Sequence, residues 1–552
     1  AGIGEQPLLA FSEAGFLSLS RRQFLAGAAA LGATATLSAC QSSLIGPTAS
    51  GVATRYDIAT PGGQGMLSLY AKAVRAMQDP AINNPPQPHS WTFQSFIHGV
   101  PKNMADPASS SGLMNGSAEL QTRIDQIYGF PAAGTPQAAW KAAAAACWGS
   151  CPHGSPNFVS WHRWYVYYFE RVCAKMADAP HFTLPYWNYG SNTGPAEQLP
   201  AMFRDVSSSL FFQARGPGFA SAQGSGPRTV AMNDGGYMPF TESTYAPALQ
   251  ALPIFPSDTT YADPGTPAFQ AFGFSGRVEV LPHDFVHDNV GGWMGNVPSA
   301  AGDPVFYVHH CQIDRLWASW SALIGANYNW GNDAASPSQA TWTGQTFRFV
   351  NDAGQVVSVQ AGPTMNTTTL GYAYDRLASA PGATVKGALA AAGKLKLAVQ
   401  QSGKVQIGGK DSTVTLKAAL GAAAKAVTST GPMLVLEDVR LLKRPHAPIH
   451  VFVNLPKDAP ATLDSPYHVG RLNLFRFDAD TGRPMNMAAG EHAGHQPAPA
   501  VDFRYPLAEA LAHAQATGKW KGGALSVTFS TLGAPGGSAD NYVEVARIRL
   551  EP

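Results

Sequence analysis

The sequence is poor in charge. Asp, Glu, Lys and Arg make up 13% of its 552 residues, about half the roughly 25% of an ordinary soluble protein. The 37 basic side chains nearly match the 36 acidic ones, so there is neither a basic field for nucleic acid nor an acidic, solvating tail. Five cysteines are too few for a disulfide-stapled scaffold. Beyond Cys40 no run is long and apolar enough to cross a bilayer, and no fixed-period repeat is visible. What the sequence has in quantity is apolar residues at 45%, 56 Gly, 43 Pro and 15 His. Its length allows about two to four domains with large cores.

Residues 1–40 read as an address. Arg21 and Arg22 precede an apolar, Ala-rich run from Phe24 to Cys40, the pattern of a twin-arginine export signal. Leu37-Ser38-Ala39-Cys40 resembles a lipobox. Lipidation of Cys40 would tether the chain to a membrane, whereas cleavage nearby would release it. The expected location is the periplasm or cell envelope. Residues 41–62 read as a linker.

A block over 63–378 carries most of the aromatic residues, with helix patterns over 64–78, 158–178 and 304–320 and Gly/Pro/Ser-rich connections over 190–275. After a second linker at 379–390, residues 391–552 change character. Period-two runs at 395–399, 404–407, 413–416, 434–442, 449–454, 469–477, 525–529 and 543–550 predict an all-β, sandwich-like domain, with one helix near 506–517.

The histidines fall into groups. His153 sits in a Gly/Pro loop just before His162, which opens a strong helix pattern. His283 and His287 are spaced i, i+4, one face of a helix, as are His310 and Asp314. A carboxylate at 314 can accept from an imidazole and fix its tautomer. A lone histidine is more often a core residue than a ligand, but two such groups, each joined to an aromatic-rich helix, point to metal. All-imidazole ligation suits copper, zinc, iron or nickel. The lack of Asp or Glu at ligand spacing argues against a carboxylate di-iron site.

Two stretches carry a resemblance. One runs from His153 through Phe158, Trp161, His162 and Arg163 to Glu170; the other runs from Asp303 and Pro304 through Phe306, Tyr307 and His310 to Asp314. Both resemble the signatures of the tyrosinase, catechol oxidase and haemocyanin superfamily of type-3 dicopper proteins. The resemblance implies a mainly α catalytic domain whose four-helix core holds two copper ions, with O2 as co-substrate. Copper A would take His98, His153 and His162, with His89 as the alternative to His98. Copper B would take His283, His287 and His310, the last preferred over His309. The long gap between His98 and His153 implies an insertion near 101–146. Tyr372-Ala-Tyr374 resembles the motif that closes such a core.

The same resemblance implies oxidation of small phenols to o-quinones. A tyrosinase that also hydroxylates monophenols, a diphenol-only catechol oxidase or o-aminophenol oxidase, and an O2 carrier are the readings left open. Oligomeric state is open as well. Glu279 sits where relatives often place a water-holding Glu; the alternative is an ordinary ion-paired Glu. Asp284 stands where many hydroxylating relatives carry Asn. Met294 and Val297 would line the pocket mouth, and Phe306 would pack beside the ligands. Cys151 is expected either to cross-link to His153 as a thioether or to remain a thiol or pair with Cys147. The C-terminal domain loosely resembles the β-domain that keeps plant polyphenol oxidases latent. Tyr467 is the candidate for a placeholder side chain on the site; the alternative is a strand-edge core aromatic.

Overall fold

In the computed structural model the described residues are 51–153, 155–191, 194–220, 230–238, 278–324, 330, 338–378, 403–416, 432–484, 501–521, 524–533 and 540–551. The export segment with Cys40, the linker at 379–390 and the run at 395–399 lie outside them. Among the described residues no helix is long and apolar enough to cross a membrane.

The N-terminal part contains β1 (Ala53–Arg55), α1 (Pro61–Met77), α2 (Trp91–His98), α3 (Ala118–Tyr128), α4 (Pro136–Cys147), α5 (Phe158–Met176), α6 (Phe285–Val290), α7 (Val305–Ile324), β2 (Thr346–Val350), β3 (Val356–Gln360) and β4 (Tyr372–Tyr374), joined by shorter turns. Local chemistry starts these helices where the sequence indicates. Thr60 accepts from the Gly63 amide ahead of Pro61 at the first turn of α1, and Ser90 accepts from the Phe93 amide to open α2, each offsetting an amide the helix leaves unpaired. The apolar face of α1, with Met66, Tyr70, Val74 and Met77, is buried and packs on α5, which packs in turn on α7. The stretch between α2 and α5 supplies α3 and α4, packed on each other.

The C-terminal part is built of β5 (Val405–Gly408), β6 (Ser412–Leu416), β7 (Met433–Leu441), β8 (His450–Val453), β9 (His468–Arg471), β10 (Phe503–Pro506), α8 (Ala508–Ala516), β11 (Leu525–Ser530) and β12 (Asn541–Glu551). The strands form two antiparallel four-stranded sheets, ordered β6-β11-β8-β9 and β10-β7-β12-β5. Alternate residues of both sheets, among them Leu434, Leu436, Val451, Val527, Val543 and Val545, share one buried apolar cluster, as a sandwich requires.

Two expectations need correction. The 41–62 segment is not all linker, because β1 pairs in parallel with β4 and Arg55 is fully buried. The 469–477 run is not one strand. Only His468–Arg471 pairs with β8; beyond it Leu472, Leu474 and Phe477 stay in the β-domain core, while Asn473, Phe475 and Arg476 reach into the helical domain. Their alternation comes from side chains reaching across a domain boundary, which strand periodicity cannot distinguish from a pleat.

The helical core is held by a charge network. Arg55 donates to Glu170 on α5 at 2.8 Å and to Asp314 on α7 at 3.0 Å. Arg163 on α5 pairs with Asp314 and donates to the Thr364 carbonyl at 2.5 Å. Tyr372 and Tyr374 donate to the same Asp314 carboxylate at 2.6 and 2.5 Å, and the Arg55 guanidinium lies 3.7 Å over the Tyr372 ring. Burial pushes the Asp314 carboxyl up, but Arg163 and Arg55 outweigh it and hold the group below the usual carboxylate range. Its share of stability is therefore present above about pH 4 and lost as pH falls through the lowered value. Arg55→Met leaves buried Glu170 without its cation and Asp314 with one cation in place of two, and is expected to cost about 3–5 kcal/mol, read as a lower denaturation midpoint at pH 7; a wild-type midpoint would remove Arg55 from this role.

Candidate functional site

Each helix of the core delivers one or two imidazoles to its centre. His98 ends α2, His162 lies in the first turns of α5, and His310 lies near the start of α7. His153 comes from the loop before α5. His283 and His287 flank the start of α6, and their rings are 4.5 Å apart. The i, i+4 pair stands on one helical stretch: the non-helical Leu281 lies before His283, and Pro282 stands where the helix opens, a position at which the missing proline amide costs nothing.

The ligand atoms of His98, Cys151, His153 and His162 lie within 4.8 Å of one another, and so do those of His283, His287, His309 and His310. All are buried. His162 and His310 stack face to face at 4.4 Å, joining the two groups. His309 offers a fourth imidazole to the second group, but its ring lies against His283 and Tyr189, whereas the His310 Nε2 sits 3.3 Å from that of His287. His89 is elsewhere, bonded to the Asp352 carbonyl at 2.8 Å.

The residues suit a metal. The Nδ1 atoms of His98, His162 and His287 lie 3.1, 2.8 and 2.8 Å from the carbonyls of Val297, Phe158 and Met294. Donation to those oxygens leaves each Nε2 with its lone pair inward. The Nε2 atoms of His98 and His283 are buried without a protein hydrogen-bond partner, a costly state unless something else binds them. Burial and neighbouring imidazoles hold His98, His153, His283 and His310 well below their ordinary pKa; burial drives His287 down as well, and His162 to about 3. Neutral imidazole is the ligating form.

The partners of individual side chains differ from expectation in instructive ways. Asp314 is taken up by Arg55, Arg163 and two tyrosines, and it does not orient His310, whose Nδ1 is buried without a partner; guanidinium and phenol donors hold an ionised carboxylate more strongly than a neutral imidazole does. The acceptor for His283 is Asp284, at 2.7 Å. Met294 and Val297 are buried and serve through their backbone carbonyls. A Cβ on Gly99 would stand 2.6 Å from the Pro298 Cα, so only glycine lets that segment approach His98. Phe306 stacks on His310 at 4.1 Å and meets His98 edge-on at 4.7 Å. Phe158, named from sequence only as part of the first signature, wedges between His162 and His283 at 4.5 and 4.7 Å. The Cys151 Sγ is 3.1 Å from the His153 Nδ1, and Cys147 is a free, buried thiol.

Tyr467 is not at the site. It is buried in the β-domain core with its ring edge-on to His513 at 5.2 Å. The residue over the metal groups is Phe475, fully buried and stacked on His287 at 4.0 Å and 17°. Its ring also approaches His283 and His153 at 5.5 and 5.8 Å. Arg444 of the β-domain anchors this loop, donating to the Leu474 and Phe477 carbonyls at 2.8 and 2.5 Å and to the Gly295 carbonyl beneath at 3.1 Å. A leucine- and phenylalanine-rich strand pattern conceals such a plug; the clue in the sequence was Arg471, Asn473 and Arg476 interleaved with apolar residues.

Two facing groups of buried imidazoles on four helical segments could hold a pair of metal ions, the arrangement of a type-3 dicopper centre. Residues 88–323 match the common central domain of tyrosinase, so this part of the chain is similar to the tyrosinases and polyphenol oxidases, type-3 copper proteins. Among curated relatives it is 31% identical to tyrosinase HcTyr1 of Hahella sp. (strain CCB-MM4) over 56% of this chain and 60% of that one. It is 30% identical to a chloroplastic polyphenol oxidase of Malus domestica over 40% of this chain and 38% of that one. The chain thus spans less than two thirds of these relatives' length. A recombinant latent aurone synthase (polyphenol oxidase) shares the fold at a TM-score of 0.50 and 19% identity, over 92% of this chain and 90% of that one.

Two outcomes are expected. His283→Ala should reduce bound copper from two ions per chain to one by elemental analysis, and two retained ions would exclude His283 as a ligand. The copper-free chain should lose stability as pH falls below about 6.5, by about 1.4 kcal/mol per unit for each buried imidazole, because the unfolded chain binds protons the folded one refuses. A thermal midpoint unchanged between pH 7 and 5 would contradict this.

Proposed function

We propose that the chain is a phenol oxidase that uses two coppers and O2, with its β-domain holding it latent. The observation that carries this reading is the Phe475 ring stacked on His287 between the two histidine groups, where a phenol ring would have to lie. The copper pair, when bound, supplies O2 activation and takes two electrons from a catechol, giving an o-quinone. The chain supplies the rest. Phe306, Phe158 and Phe475 exclude water, and three backbone carbonyls and Asp284 fix the imidazoles.

Hydroxylation of monophenols also needs a base for the phenol proton. Glu279 is buried beside the site and would hold the water that accepts it. In the plugged state it faces Arg476 at 3.8 Å, so the plug covers both the ring position and this carboxylate. We propose that Cys151 forms a thioether to an imidazole carbon of His153: the S–H and ring C–H bonds break, the C–S bond forms, and the two electrons and two protons released would reduce O2 to hydrogen peroxide. Export by the twin-arginine route, with a lipid on Cys40, completes the proposal.

The full copper-loaded chain should oxidise L-DOPA slowly, and Phe475→Ala should raise the rate about tenfold or more, since the ring blocks access. An unchanged rate with two coppers bound would refute the plug. Glu279→Gln should lower tyrosine turnover more than L-DOPA turnover, and equal losses would remove Glu279 from proton transfer. Intact mass two hydrogens below the calculated value, with Cys151 refractory to alkylation after denaturation, should reveal the thioether; two alkylated thiols at 147 and 151 would exclude it.

A further inference from the structure

The plug is more than an aromatic ring. Arg471 reaches Asp288 at 3.3 Å while its guanidinium lies 4.1 Å over the Phe285 ring. Arg476 faces Glu279 at 3.8 Å, with both side chains almost wholly buried. Asn473 donates to Asp284 at 2.7 Å. Within seven residues the β-domain thus presents one ring to the imidazoles and two cations and an amide to three carboxylates of the metal domain. The three carboxylates stand on one short stretch, from Glu279 to Asp288, and flank His283 and His287.

When the plug withdraws, both guanidiniums leave with it. Buried carboxylates stripped of their cations are costly, and a ligand that returns positive charge to them restores what was lost. One that brings negative charge is rejected. Asp288 and the face of Phe285 already make a seat for a cation, because an aromatic face and a carboxylate both favour one.

We propose that the pocket beneath the plug selects phenols bearing a positively charged side chain, such as a primary ammonium a few bonds from the ring, over phenols bearing a carboxylate. This rests on the phenol-oxidase reading above and adds the substrate class. Charge complementarity, with the ring on His287 and the ammonium toward Asp288, orients the substrate as the plug's own Phe475 and Arg471 are oriented.

The test uses the full copper-loaded chain with Arg471, Phe475 and Arg476 all replaced by alanine, checked for folding and for two coppers. Three catechols are compared: dopamine, 4-methylcatechol and 3,4-dihydroxyphenylpropionate. KM should be lowest for dopamine and about tenfold or more higher for the carboxylate, with the gap narrowing at high salt and on adding Asp288→Asn. Calorimetry with phenethylamine and 3-phenylpropionate, which cannot be oxidised at a phenol, should give the same order of affinity. Equal values across charges, or preference for the anion, would overturn the proposal. Oxidation of none of the three catechols would instead overturn the phenol-oxidase reading, and the calorimetric order would still decide the charge preference. If the triple variant does not fold, Arg471→Ala with Phe475→Ala opens the ring position and the Asp288 seat while keeping buried Arg476, and carries the same comparison.

Discussion

Everything at the metal centre depends on one buried carboxylate, Asp314. It sits one helical turn beyond His310 and binds Arg55 from the N-terminal strand, Arg163 from the helix that carries His162, and both tyrosines of the closing strand. A charge removed from water is stabilising only if its partners are complete. Here they are, and because they come from elements far apart in the chain, they fix the two long helices in relation to each other. The stacking of His162 on His310 at 4.4 Å is a consequence of that register. Low overall charge fits this arrangement: the core uses few charges, and at its centre Arg55, Arg163, Glu170 and Asp314 are paired with one another.

The imidazoles themselves are positioned by cheaper means. Backbone carbonyls of Phe158, Met294 and Val297 accept from three rings, and aromatic side chains wedge the others. A carbonyl acceptor places no demand on side-chain identity, so the segment 294–297 contributes by its path alone. This is why Gly99, which allows the close approach of that path, matters as much as any ligand-adjacent side chain.

The β-domain belongs to the same physical unit as the site. Its loop seals the centre with a ring and satisfies three carboxylates with two cations and an amide. A seal of this kind is both apolar and charge-matched, so its release exposes a pocket with a defined electrostatic character. On the proposed reading, latency and substrate preference have a common origin in the same three acidic side chains.

Much of this was legible before any coordinates. The spacing of His153, His162, His283, His287 and His310, the capped helices and the period-two runs of the C-terminal part follow from local rules: helix faces, strand alternation and caps act over a few residues. What only the tertiary structure decided are contacts between distant segments. The i, i+4 relation of His310 and Asp314 was read correctly as one helix face, yet guanidiniums arriving from residues 55 and 163 claimed the carboxylate. Tyr467 looked apt as a placeholder, but the turn after Arg471 carries Phe475 to His287 and leaves Tyr467 in the sandwich core. Local sequence determines which groups are available and on which face they stand; only the packed chain determines which of the competing partners each one meets.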